Sequence, residues 1–90
     1  MNLNENIKPI VNFRGYLIYL SKRKDKKYFA LVNGKRVYFG AKGMSQYYDK
    51  IGYYDEYNNY SNKRKRLYYL RHSKNYPEGS ADWFSKQLLW

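Results

Sequence analysis

The chain contains no cysteine, so neither a disulfide nor a cysteine-based zinc site can reinforce it. It has a single histidine, His72, which removes any two-histidine metal spacing. Lying between Arg71 and Ser73, that histidine reads as a polar helix residue rather than a catalytic one. Carboxylates are scarce too, 7 Asp plus Glu in 90 residues. Asp49, Asp55, Glu56, Glu78 and Asp82 form no D-x-D-x-D-G calcium pattern, and G-A-K-G at residues 40–43 lacks the spacing and the Ser/Thr of a phosphate-binding loop. Nothing in the chain supplies a nucleophile paired with a base. The expectation is a protein that is not an enzyme and carries no metal and no cofactor.

Long apolar runs are missing as well. None approaches the roughly 18 residues that span a bilayer. The opening M-N-L-N-E-N-I-K-P lacks the apolar centre of a secretory signal. No helix sets a basic face against a broad apolar one, as membrane-surface helices do. The chain is therefore expected to be neither secreted nor transmembrane, with no membrane insertion.

What the chain has in excess is positive charge and tyrosine. Lys plus Arg number 18, giving a formal net charge of +11 and a pI near 9.8. A field of that size on a short chain repels itself and attracts polyanions, so nucleic acid, an anionic surface or acidic protein are the natural partner classes. Aromatic residues make up 21% of the chain, and thirteen of them are tyrosine. In a domain this small, which buries a lower fraction of its surface than larger domains do, such rings must replace scarce aliphatic core. An AT-rich coding sequence would also raise Lys, Asn and Tyr together. Whether the cations gather on one surface separates that explanation from selection for binding.

The clearest local instruction lies at residues 28–43, Y-F-A-L-V-N-G-K-R-V-Y-F-G-A-K-G. Asn33-Gly34 is the dipeptide best suited to a type I′ turn, in which both central residues need positive φ. The turn sets the register: Val32 faces Lys35, Leu31 faces Arg36, Ala30 faces Val37, Phe29 faces Tyr38 and Tyr28 faces Phe39. Tyr28, Ala30, Val32, Val37 and Phe39 then share the core face, and Phe29, Leu31, Tyr38 and Arg36 share the other. Before this hairpin, Tyr16, Ile18 and Leu20 alternate with Leu17 and Tyr19 as a further strand. Together these predict a three-stranded antiparallel meander over residues 14–40. Residues 1–12, polar and Asn-rich with Pro9 after Lys8, read as an extended arm that Ile7, Ile10 and Val11 dock on the sheet.

The tyrosine-rich connection at residues 41–60 is read either as a short helix over residues 44–50 ended by Gly52, or as a loop pinned by the rings of Tyr47, Tyr48, Tyr53, Tyr54, Tyr57 and Tyr60. Ser61 is a good N-cap for a helix over about residues 62–74, which places Leu67 and Leu70 on one face. Ser80 caps another over residues 80–89. In that helix Phe84 and Leu88 are i, i+4 neighbours, Trp83 and Trp90 share another edge, and the dense apolar end is expected to cover the Ala30 face. The fold class is α+β: one small domain with the meander packed against two or three short helices.

Two basic clusters stand out. Lys22, Arg23, Lys24, Lys26 and Lys27 surround Asp25 at a hairpin end, more charge than is needed to discourage edge-to-edge sheet association. Lys63, Arg64, Lys65 and Arg66 occupy the first turn of a helix, where the macrodipole is already positive and an anion would relieve the repulsion. With Lys35, Arg36, Lys42, Arg71 and Lys74 they make a candidate nucleic-acid-binding set interleaved with aromatic rings. If about six cations reach phosphates, affinity should fall with a log-log salt slope near −5, several hundredfold or more between roughly 50 and 200 mM salt. Such contacts position without reading sequence. DNA ranks ahead of RNA as the expected partner, and the alternative is a structural interaction protein whose basic and aromatic surface meets acidic proteins. An exposed patch of Trp83, Phe84 and Trp90 would favour that alternative.

The segments V-Y-F-G-A-K-G (37–43), K-R-L-Y-Y-L-R-H-S-K (65–74) and S-A-D-W-F-S-K-Q-L-L-W (80–90) resemble a family of small, basic, largely uncharacterised proteins of large DNA viruses of eukaryotes. Arg71-His72, Ser85 and the Leu88-Leu89-Trp90 ending are the most specific part, and residues 53–60 depart from the pattern. The resemblance implies a viral protein packaged in the virion or present in the host-cell cytoplasm or virus factory, with acidic virion proteins as further partners. It brings no activity with it. In architecture the chain also resembles three-stranded-sheet DNA-binding domains, where a hairpin such as K-R-V-Y-F-G precedes a packed helix and the sheet enters the major groove.

Overall fold

The computed structural model describes residues 8–90. It is an α+β structure: an antiparallel sheet of four strands in the order β1-β2-β3-β4, followed by two helices. The strands are β1 Val11–Phe13, β2 Tyr16–Leu20, β3 Lys26–Val32 and β4 Lys35–Ala41, and the helices are α1 Asn62–Arg71 and α2 Ala81–Leu88. Every pair expected across the Asn33-Gly34 turn forms, from Val32 with Lys35 to Tyr28 with Phe39. Asn33 and Gly34 have φ of 52° and 78°, as a type I′ turn requires.

The three-stranded expectation is corrected by β1, because the arm read as extended turns back at Arg14-Gly15 and pairs with β2 from Phe13–Tyr16 to Val11–Ile18. Arg14 sits in the left-handed region at φ 53° and Gly15 at φ 90°. The side chain of Asn12 holds the turn by accepting the Gly15 N–H at 2.8 Å. A side-chain bond of this kind lets an unremarkable dipeptide do what Asn-Gly does from propensity alone. The part of the arm at residues 1–7, including Ile7, lies outside the described residues.

The core is built on the predicted face. Ile18, Tyr28, Ala30 and Phe39 are buried from the sheet, and Trp83, Phe84, Leu88 and Leu89 close over them. Phe84 stacks on Phe39 with ring centroids 5.3 Å apart, and Tyr16 meets Phe84 edge-on at 5.3 Å. Each such fully buried ring or aliphatic side chain contributes about 1.5–3 kcal/mol. Both helices begin at the expected caps: the Ser61 hydroxyl accepts from the Arg64 N–H, and Ser80 accepts from the Trp83 N–H.

Two details of the helices differ from expectation. Helix α1 ends at Arg71, with His72 as its cap, and the His72 ring stacks on that of Tyr68 at 4.2 Å. Trp83 and Trp90 do not share an edge. Trp83 packs on Phe13 and Tyr16, whereas Trp90, beyond the helix end, stacks on Tyr68 at 4.6 Å with planes 5° apart. Tyr68, rather than Leu67 or Leu70, is the side chain that fastens α1. Leu67 and Leu70 remain 46% and 67% exposed.

At Gly40, β4 passes close to Leu89, the cap of α2. The glycine's φ is +78°, and a Cβ there would lie 3.0 Å from Leu89 Cδ1 and 3.3 Å from Lys27 Cβ. Gly40→Ala should therefore destabilise the fold by more than about 1 kcal/mol, from the left-handed backbone together with the clash. Urea denaturation checks this, and an unchanged midpoint would contradict it.

Candidate nucleic-acid interface

Of the two forms expected for the connection at residues 41–60, the loop is the one present, and no helix forms over residues 44–50. The only helical turn there is a 3₁₀ turn at Asp55–Tyr57. The loop is organised by buried polar groups. The Lys27 ammonium, 1% exposed, donates to the Met44 carbonyl at 2.8 Å and to Gln46 Oε1, and lies 5.2 Å from the centre of the Tyr57 ring. The Gln46 amide donates in turn to the Tyr54 carbonyl and to Asn58 Oδ1. Asp49 accepts from the Tyr28 hydroxyl at 2.5 Å and from the backbone N–H groups of Ile51 and Tyr54, both at 2.9 Å. Side chains that satisfy backbone donors in this way compete with the helix and win here. The main chain is anchored to the end of α2 as well, where the Tyr48 and Lys50 N–H groups donate to the Leu89 and Leu88 carbonyls.

The consequence for the predicted interface is that Lys27 leaves it. Adjacent in sequence to exposed cations, it is nonetheless an internal strut, and no phosphate can reach it.

The other cations fall into groups. Lys22, Arg23 and Lys24 are exposed and Lys26 is half-buried around the β2–β3 turn. Arg23 forms a bidentate pair with Asp25, at 3.0 and 2.9 Å, which is the only ion pair found among the described residues. The Lys42 N–H donates to the Asp25 carbonyl at 3.0 Å, so the exit of β4 abuts this turn. Three residues on, the Arg64 guanidinium donates to the Ser45 hydroxyl at 3.2 Å, so α1 abuts that exit. Lys26 and Arg71 line one hollow of about 270 Å³, into which Asp82 also faces. Residues 42–45 thus connect the two clusters, which lie at the same end of the sheet.

Lys63, Arg66 and Lys74 are exposed on and just beyond α1, and Lys65 lies 4.4 Å from the centre of the Tyr47 ring. Lys35 is not part of this end: it sits at the opposite tip of the hairpin, about 20 Å away at ~3.3 Å per residue along β4. Arg36 projects onto the sheet face away from α2, 4.7 Å over the Phe29 ring. The sequence reading missed three cations that the fold places beside aromatic rings or pockets. Arg14 lies over Phe13 and Trp83, Lys8 borders a cavity with Arg36, and Lys86 lies 5.1 Å from the centre of the Tyr69 ring. The first two depend on β1, the strand it did not identify.

Burial also shifts titrations. Tyr28 is pushed well above the ordinary phenol value of 10.0, first by burial and then by its bond to Asp49. Burial likewise pushes Tyr68 up to about 12. Burial lowers Lys27 below 10.5. A tyrosine whose folded value is raised gives stability that is complete below pH 10 and lost as the pH climbs toward the folded value. Lys27 has the opposite effect, since deprotonation relieves its burial, but above pH 10.5 it is neutral in both states and its pH dependence ends. The tyrosines then act alone. Urea midpoints should fall between about pH 10.5 and pH 12, with tyrosinate absorbance rising at the unfolding transition. A midpoint that held or rose would contradict this.

No helix among the described residues is long and apolar enough to cross a membrane, and no three His or carboxylate side chains among them gather as metal ligands. The fold and surface define a small α+β protein with a meander sheet, one sheet face closed by α2 and a cationic end. Compared with known proteins, the chain matches no family model, no curated protein and no solved structure.

Proposed function

We propose that this chain binds nucleic acid, DNA ahead of RNA, through the phosphate backbone and without strong sequence preference, as a genome-packaging or virion-core component of a large DNA virus. The observation that carries the reading is the junction of two clusters distant in sequence. Lys22, Lys24, Lys26 and Lys42 meet Arg64 and Arg71 at one end of the sheet, through the bonds of Lys42 to Asp25 and of Arg64 to Ser45. Cations gathered in this way neutralise adjacent phosphates and release counterions. Their flexible ends carry no base-reading geometry, hence the absence of sequence preference. The viral setting is supported by the motif resemblance alone.

Fluorescence anisotropy on unrelated duplexes tests the proposal. Comparable affinities that weaken steeply with salt are the expected result, and no binding at about 50 mM salt would overturn it.

One observation favours a partner of another class, an acidic protein of the virion. The patch first expected to mark it is absent, since Trp83 and Phe84 are 9% and 0% exposed. A different one exists: Met44, Leu67 and Leu70 are 62%, 46% and 67% exposed, and Arg64 and Arg71 border the same groove as Met44 and Leu67. Exposed leucines beside arginines suit a partner helix with acidic and apolar residues.

A further inference from the structure

The sheet has a second face, turned away from α2, and the register arranges it. Tyr19 pairs with Phe29, and Phe29 pairs with Tyr38, so three rings form a row across β2, β3 and β4. Tyr19 and Phe29 stack at 4.8 Å with planes 4° apart, and Tyr38 follows at 5.2 Å, tilted by 48°. Where the row reaches β4, a cavity of about 440 Å³ opens, bordered by Phe29 and Tyr38. Ile10 and Leu20 complete its apolar part, and Lys8, Lys22, Arg23 and Arg36 supply its charge. Among the described lining residues none is acidic.

Phe29 is only 3% exposed, so it is a floor rather than a platform. What an incoming flat group meets is the Tyr38 ring and the Arg36 guanidinium, which already lies on Phe29 at 4.7 Å and reaches the Tyr38 hydroxyl at 3.4 Å. Aromatic rings and guanidinium planes are the two surfaces on which unpaired bases stack. Arg23 lies 4.8 Å over Tyr38 but is held by Asp25 in the bidentate pair, so it borders the ring while Lys8 and Lys22 remain for phosphates. The volume lies within the range of sites that enclose a small flat ligand, about 300–1,000 Å³.

We infer that this cavity receives a splayed base of single-stranded nucleic acid, with the flanking phosphates on Lys8 and Lys22. The inference rests on the nucleic-acid reading proposed above and narrows it. A duplex keeps its base faces stacked inside and offers nothing to a concave aromatic site, so the cationic end holds either form while the cavity distinguishes them. An acidic peptide would match the charge but leave the flat aromatic wall without a partner.

The test measures affinity of the full chain for an oligothymidylate, for a duplex of equal phosphate number and for thymidine monophosphate, all at one salt concentration. The single strand should bind roughly tenfold or more tightly than the duplex. Tyr38→Ala should remove that preference while Tyr38→Phe keeps it. Thermal unfolding of each variant shows whether it folds. Independently of any variant, an oligonucleotide carrying 5-iodouracil should photocross-link the unaltered protein at Tyr38 or its strand neighbours. Equal affinity for strand and duplex, or cross-links confined to α1, would overturn the inference and leave the phosphate-binding proposal standing. Monophosphate competing as well as the oligonucleotide would overturn it in favour of a free nucleotide. Failure to bind either polymer would overturn the phosphate-binding proposal itself, and this inference with it.

Discussion

Asp49→Ala is expected to cost about 3–4 kcal/mol, because it strands buried donors at about 1–3 kcal/mol each. The Tyr28 hydroxyl, enclosed in the core, loses its acceptor, and the Ile51 and Tyr54 N–H groups lose theirs. The two backbone groups can recover water as the loop loosens, which keeps the sum below three full penalties. The loosening has its own cost, since residues 44–57 cover Lys27 and supply the Met44 carbonyl and Gln46 that hold it. A small domain has only about 5–15 kcal/mol of stability in total, so Asp49→Ala should be largely unfolded under mild urea. Asp49→Asn keeps the shape and one acceptor oxygen and should cost less than half as much. Urea titrations followed by circular dichroism decide it. A loss under about 1 kcal/mol for the alanine variant would mean that the network does not organise the loop.

The second large effect is on salt dependence. With Lys22, Lys24, Lys26, Lys42, Arg64 and Arg71 engaged, the log-log slope should be about −5, a loss of roughly a thousandfold in affinity between 50 and 200 mM salt. Converting Lys22, Lys24 and Arg64 to glutamine removes half of the set and draws on both clusters. The slope should then relax to about −3, since each phosphate contact contributes about 0.9. Lys27→Gln is the informative contrast. Its ammonium is internal, so it should reduce stability and leave the slope of the folded protein where it was. A slope unaltered in the triple variant would show that the two clusters do not act as one surface.

The parts of this fold that were legible in the sequence are those governed by neighbours. Asn33-Gly34 prescribes its turn without outside help, and the register of β3 and β4 follows from it. Ser61 and Ser80 cap their helices through bonds three residues long. The fourth strand was hidden because its turn depends on one side chain, Asn12, holding an arginine in a backbone region that arginine disfavours. The loop at residues 41–60 was hidden for a different reason. Its organisers are Lys27, Gln46 and Asp49, polar residues that ordinarily face water. Only the assembled tertiary network gives them enough partners to be buried.

The same difficulty runs through the site. Lys27 shares a basic stretch with Lys22, Lys24 and Lys26, and composition cannot separate an internal ammonium from its surface neighbours. Conversely, the pairing of Phe29 with Tyr38 was evident, while its meaning depended on what covers the opposite face. Once α2 takes the Ala30 side, the Phe29 side is left to other uses.

The placement of the chain's two tryptophans has an optical consequence. Trp83 is enclosed by Phe13, Tyr16 and Phe84, so its emission should follow folding and ignore solutes. Trp90 lies half-buried on Tyr68 beside Arg64 and Arg71, where an arriving polyanion would alter its quenching. With Trp83 replaced by phenylalanine, the remaining indole becomes a built-in reporter of the cationic end, requiring no attached dye.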